Sequence, residues 1–147
     1  MASISDTTRG LREQGEPKLN GIKLELFVTD IESSQNFYTR ALGFELKRQE
    51  QGGYTALRNE NVQIDLQLES HVEDEHPLNR NQGQPIGFGT EIVLTVSDIN
   101  KAYELAKGSG FEIARPIRDS PWGSTDFRML DPDGRYLRIS TDDVWDE

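Results

Sequence analysis

The stretch "KLELFVTDIESSQNFYTRALGFEL" (residues 23–46) returns in altered form as "EIVLTVSDINKAYELAKGSGFEI" (residues 91–113). Asp30 and Asp98 stand 68 residues apart, and Phe44 and Phe111 stand 67 apart. An internal repeat of this kind sets the fold before any single element does. Each copy opens with period-two alternation, the mark of a half-buried strand. In the first, Leu24, Leu26 and Val28 share one face, and Lys23, Glu25 and Phe27 the other. In the second, Ile92, Leu94 and Val96 oppose Glu91, Val93 and Thr95. A hydroxyl-Asp pair follows each strand, Thr29-Asp30 and Ser97-Asp98, with side-chain oxygens able to cap free helix N–H groups. Thr29 with Glu32 reads as a capping box. Helical spacing then gathers Ile31, Ser34, Phe37, Tyr38, Ala41 and Leu42 into one stripe. Ile99, Ala102, Tyr103, Leu105 and Ala106 form its counterpart. Gly43 and Gly110 end the helices as left-handed C-caps.

Further strands are expected at 44–48, 54–57 and 62–68 in the first half, and at 112–114, 125–130 and 135–140 in the second. Each half is therefore a βαβββ module, and the chain is of the α+β class. The modules span 19–68 and 89–141, joined by 69–88. Residues 1–18 read as a flexible N-terminal arm and 142–147 as an acidic tail. A four-stranded sheet covered by one helix leaves its second face open. Two such faces set around a shared cleft would complete each other, and a pocket between repeats is the default site.

With 147 residues the chain has one domain's length, enough to bury roughly 70% of its unfolded surface. No apolar run reaches membrane-span length. The first 21 residues have no apolar core, which predicts no secretory signal. The chain has no cysteine, so disulfides, thiolate metal sites and cysteine nucleophiles are excluded, and a cytoplasmic location fits. The net charge of -10 is concentrated in Glu69, Glu73, Asp74 and Glu75, with no basic residue nearby, and in Asp142, Asp143, Asp146 and Glu147. It reads as solvated charge. The basic stripe that nucleic acid requires is missing.

Several motifs carry no chemistry. His71 and His76, five residues apart in the joining segment, do not make a zinc motif. Their place there also leaves a Ser-His-Asp triad without a base. "DPDGRYLRISTD" (131–142) departs from an EF-hand loop. It is a turn, with Pro132 fixing φ and Gly134 supplying the corner. "GQPIGFG" (83–89) leads into a strand, not a helix, so it is no phosphate cradle.

Two βαβββ copies carrying "VTDIESSQNFYTRALGF" and "PWGSTDFRMLDPDGRYLRIS" resemble the vicinal oxygen chelate superfamily of glyoxalases, extradiol dioxygenases and bleomycin-resistance proteins. The resemblance covers residues 19–141. The closing "PWG", "DF" and "DPDG" elements and the acidic tail are most similar to the bleomycin-resistance branch. It implies mixed sheets forming an open, barrel-like cleft. It also implies four inward positions that hold metal ligands in metal-dependent members. Here those positions are Lys23, Glu91, Arg138 and Asp65, the last with Gln63 or Gln67 as alternatives. Arginine has no free lone pair. A hard-metal site wants about six oxygens and no adjacent ammonium, even with Glu25 as a third oxygen ligand. No metal and no cofactor are therefore expected.

The four positions sum to zero charge, so salt bridges are expected where the metal would be, since an unpaired buried charge costs roughly 3–5 kcal/mol. Such a cluster either holds the two half-sheets together or offers a guanidinium and an ammonium to an anionic or carbonyl group. Phe27 and Tyr136 face the cleft by parity. Tyr54 and Trp122 lie at strand–loop edges where they could stack a planar ligand, although Trp122 alternatively packs its own loop. Trp145 lies in the tail.

The resulting expectation is a small organic ligand held without chemistry by Lys23, Glu25, Phe27, Tyr54, Asp65, Glu91, Trp122, Tyr136 and Arg138. The resemblance implies drug sequestration and a homodimer. The rival is a glyoxalase-type lyase, isomerase or dioxygenase acting on a small carbonyl or aromatic substrate. It would use Glu91 or Glu25 as general base, with Lys23 and Arg138 stabilising an enolate. A third reading, a partner-binding module, rests on the acidic segments alone.

Overall fold

A computed structural model of the chain describes residues 15–80 and 83–142. Most of the expected N-terminal arm and residues 143–147, including Trp145, lie outside the described residues. The first module runs β1 (Lys23–Val28), α1 (Ile31–Asn36), β2 (Glu45–Gln49), β3 (Thr55–Asn59) and β4 (Val62–Leu68). The second runs β5 (Ile92–Val96), α2 (Ile99–Gly108), β6 (Ile113–Asp119), β7 (Thr125–Leu130) and β8 (Tyr136–Thr141). The sheet orders are β1-β4-β3-β2 and β5-β8-β7-β6. In each, the first and last strands pair in parallel and the remaining pairs are antiparallel. One topology is thus used twice, as the repeat requires.

The helices begin and end for the expected reasons, with one exception. Asp30 Oδ1 accepts from the Ser33 N–H and Asp98 Oδ1 from the Lys101 N–H, both at 3.1 Å. Gly43 and Gly110 take φ of 73° and 86°. Thr29 makes no capping box: its hydroxyl donates instead to Asp133 Oδ1 in the other module, at 2.6 Å. After Asn36 the first helix widens into a π-type turn over Phe37–Ala41. That turn brings the neighbouring Phe37 and Tyr38 rings inside together, both fully buried. In the second module β6 runs on to Asp119 past Pro116, which an edge strand with a register shift between Arg115 and Arg118 tolerates.

The core decides how the modules meet. Leu57, Ile64 and Leu66 of the first sheet share one buried cluster with Phe127, Met129 and Leu137 of the second. Each such side chain is worth roughly 1.5–3 kcal/mol when taken out of water. The helical segments lie between the sheets, and Phe37 meets Phe111 edge-on with ring centres 5.3 Å apart. The layering is sheet, helices, sheet. Polar links reinforce it. Tyr38 donates to Asp131 Oδ2 at 2.7 Å, and Arg135 Nη2 donates to the Phe27 carbonyl at 2.6 Å. The joining segment is organised too: Arg80 forks onto both oxygens of Glu69 at 2.7 and 2.9 Å. Its acidic run therefore does have a basic partner.

Candidate functional site

Strand parity carries the chemistry to the sheet faces that the helices leave uncovered. Register places Glu25 opposite Asp65 and Lys23 opposite Gln63. In the second sheet Val93 lies opposite Arg138. Since Val93 is the repeat counterpart of Glu25, Asp65 stands where Arg138 stands.

On the first face a phenol organises two carboxylates. The Tyr54 hydroxyl donates to Asp65 Oδ2 at 2.6 Å and lies 3.0 Å from Glu25 Oε1. Gln67 Nε2 donates to Glu25 Oε1 at 2.6 Å, and Gln63 Nε2 to Asp65 Oδ1 at 3.3 Å. Lys23 Nζ sits 3.4 Å from Asp65 Oδ2, its side chain 47% exposed against 3% for the aspartate. The Asp65 hydrogen bond, burial and the Glu25 hydrogen bond together push the Tyr54 phenol far above the ordinary tyrosine range.

On the second face guanidinium groups do the organising. Arg138 Nε lies 2.8 Å from Glu91 Oε1. Its N–H points off that line, so this is a charge contact and not a hydrogen bond. Arg128 Nη1 reaches Glu91 Oε2 at 3.3 Å and the Tyr136 hydroxyl at 3.2 Å, and its Nε donates to Asp126 Oδ1 at 3.2 Å. Its guanidinium carbon lies 5.6 Å from the Tyr136 ring centre, a cation–π distance. Asp126 and Arg128 were not among the expected residues. The alternation in "TDFRML" (125–130) puts both on the face of Arg138, and β7's pairing with β8 makes them neighbours.

The expected ion pairs form, each inside its own module: Lys23 with Asp65, and Arg138 with Glu91. The five charged positions do not make one floor. Both sheets turn their apolar faces to the shared core, so parity points the polar faces outward. Among the described residues no hydrogen bond or ion pair joins the two sets. Tyr54 lies within its polar face, not at a rim. Phe27 is near His76 of the joining segment, ring centres 6.4 Å apart. Trp122 stands 62% exposed in the turn between β6 and β7.

The donor set does not fit a divalent cation. At the four positions the carboxylates already face an ammonium or guanidinium, and a bound cation would have to displace it. Among the described residues no three His, Asp or Glu side chains converge as a ligand set.

The duplicated topology is that of a known family. The model of the glyoxalase/bleomycin resistance protein/dioxygenase superfamily matches residues 21–139. The chain belongs to that superfamily. A bleomycin resistance protein of Geobacillus stearothermophilus is 31% identical, over 75% of this chain and 87% of the relative, as is one from Staphylococcus aureus. Among solved structures, a superfamily member from Nocardioides superposes with a TM-score of 0.70 at 20% identity, covering 97% of this chain and 96% of that one. TioX from Micromonospora sp. ML1 gives 0.68 at 18%, covering 83% and 98%. These structural likenesses carry the fold alone. Among the described residues no helix is long and apolar enough to cross a membrane.

Proposed function

We propose that this superfamily member is a metal-free binder of a small organic molecule. In this reading it works as a cytoplasmic homodimer and sequesters a drug-like compound without converting it. The observation that carries the reading is the pair of ion pairs, Lys23–Asp65 and Arg138–Glu91, at the positions where metal ligands are expected. The bleomycin resistance relatives supply the ligand class.

The layering supports a dimer. One chain offers two half-clefts, one on the outward face of each sheet, with β1 and β5 as open sheet edges. Val93 and Leu130, on the outward face of the second sheet, are 41% and 50% exposed. A two-fold axis that sets the first face of one copy against the second face of its partner closes both interfaces at once. It builds two clefts, each with Lys23, Glu25, Tyr54 and Asp65 on one wall and Glu91, Tyr136 and Arg138 on the other. In this reading Phe27 and Trp122 add ring faces. The walls differ in character: one is rich in acceptors, the other presents guanidinium groups.

Ligand-dependent thermal stabilisation tests the binding, because a ligand at 100 times its dissociation constant adds about 2.7 kcal/mol. Light scattering after gel filtration should give a two-chain mass, and a monomer at tens of micromolar with intact ligand response would remove the composite cleft. No shift across glycopeptide and aromatic drugs would remove sequestration. Stoichiometric divalent metal by elemental analysis would remove the metal-free reading. Catalysis is less well supported, since both Glu91 oxygens face guanidinium groups and Glu25 Oε1 is shared by Tyr54 and Gln67. Turnover of a carbonyl substrate that vanishes in Glu91→Gln would establish it instead.

A further inference from the structure

The duplication is latched on one side of the seam between the modules and open on the other. On the latched side the β7–β8 turn holds five residues, Asp131–Arg135, because Leu130 pairs with Tyr136. Those residues reach across to Tyr38, Thr29 and the Phe27 carbonyl. The equivalent β3–β4 turn holds two, Glu60 and Asn61, because Asn59 pairs with Val62. Among the described residues it makes no hydrogen bond or ion pair to the second module. In place of a latch the seam carries a cavity of about 460 Å³, within the range of roughly 300–1,000 Å³ typical of small-molecule sites.

Phe44, Leu94, Val96, Ala102 and Leu105 give this cavity apolar walls, while Asn61 and Ser97 bring polar groups to it. Among the described residues that line it, Glu60 alone is charged. Among the described residues its carboxylate has no ion-pair partner, and Arg58 Nε donates instead to the Glu60 carbonyl oxygen at 3.0 Å. Glu60 is also the one non-glycine of the described residues with positive φ, 50°. Glycine or asparagine would take that conformation at less strain. A two-residue hairpin turn calls for positive φ at its first position, so the short turn itself sets Glu60 on the cavity lining.

We propose that this seam cavity is a second binding site, separate from the outward sheet faces, for a small apolar molecule bearing one protonated amine. The ring or alkyl body fills the apolar walls and the ammonium meets the Glu60 carboxylate. The site lies within one chain, so it does not depend on dimer formation or on the sheet-face ligand.

The test titrates the full chain with naphthylmethylamine, naphthylmethanol and naphthoate, following backbone amides of isotope-labelled protein by NMR. The expected result is saturable shifts at residues 42–44, 59–62, 94–97 and 102–105, with affinity falling from amine to alcohol to carboxylate. Glu60→Gln should bring the amine to within error of the alcohol, a loss of roughly two- to fivefold for one exposed carboxylate. Ala102→Trp, which fills the cavity, should abolish the shifts; the wild-type map decides alone if that variant does not fold. Shifts centred on Glu25, Glu91 or Arg138, no saturation for any probe, or an unchanged amine preference in Glu60→Gln would each overturn the proposal.

Discussion

The two modules share a strand order and solve the same problem in different ways. In the first, the polar face neutralises its carboxylates with a phenol, two amides and one half-exposed lysine. In the second, two arginines enclose Glu91, and one of them also holds the buried Asp126. The turns differ in the same sense. Asp131 accepts from Tyr38, from Arg135 and from two backbone N–H groups, whereas Asn59 reaches only the Leu42 and Gly43 carbonyls of its own module. Duplication preserved the backbone and left the second module to carry both the charge density and the contacts that join the halves.

The largest test of this contrast is Asp131→Ala. It leaves the Tyr38 hydroxyl without its acceptor and the Arg135 guanidinium with only the more distant Asp133 carboxylate, at 3.6 Å, and the Phe27 carbonyl, and should cost about 3 kcal/mol in urea unfolding. Arg128→Met leaves Asp126, 2% exposed, without its cation and should cost about 3 kcal/mol. Lys23→Met, the matching change in the first module, should stay below about 1 kcal/mol because the lysine is half in water. Equal losses for Arg128→Met and Lys23→Met would erase the asymmetry. Asn59→Ala removes hydrogen bonds local to one module and should cost about 1 kcal/mol; a loss matching Asp131→Ala would show the short turn joining the modules after all.

Alkaline titration sharpens the comparison further. Burial and Asp131 raise the Tyr38 phenol, as the Asp65 hydrogen bond, burial and Glu25 raise Tyr54. A raised folded value means that the neutral phenol's contribution is fully present below the unfolded value near about pH 10 and is lost as pH climbs past it. Unfolding free energies measured from about pH 9 to about pH 12 should fall, less steeply in Tyr54→Phe. An unchanged slope in that variant would show that the carboxylates do not hold the phenol protonated. The smallest effect belongs to Glu60→Gly. It relieves the positive φ but loosens the unfolded chain, for a net gain of about 0.5 kcal/mol or less.

Much of this was legible in the chain because duplication repeats its own evidence. Two alternating strands, two Asp caps and two Gly-Phe-Glu exits fix the βαβββ unit, β4 and β7 start where periodicity puts them, and β8 starts one residue later. Boundaries slipped where the signal was local and tertiary forces overrode it. Thr29 left its capping box for Asp133, and the π-type turn after Asn36 exists because two adjacent rings both gain by burial. At the site, the two ion pairs were legible because charges of opposite sign occupy matched positions. Arg128 was missed because its importance comes from β7 lying beside β8, a contact that the sequence does not print.

Parity along each strand and the repeat itself determined which residues share a face, and those are local properties of an alternating chain. Whether the polar faces look toward one another within a chain or outward to solvent is a different kind of fact. It was decided by the helices: the rings of Phe37, Tyr38 and Phe111 bury most area when the apolar sides of both sheets close on them, and that closure turns the charged faces outward. The seam cavity has the same origin, since only the assembled pair of modules reveals that a turn three residues shorter leaves space behind it.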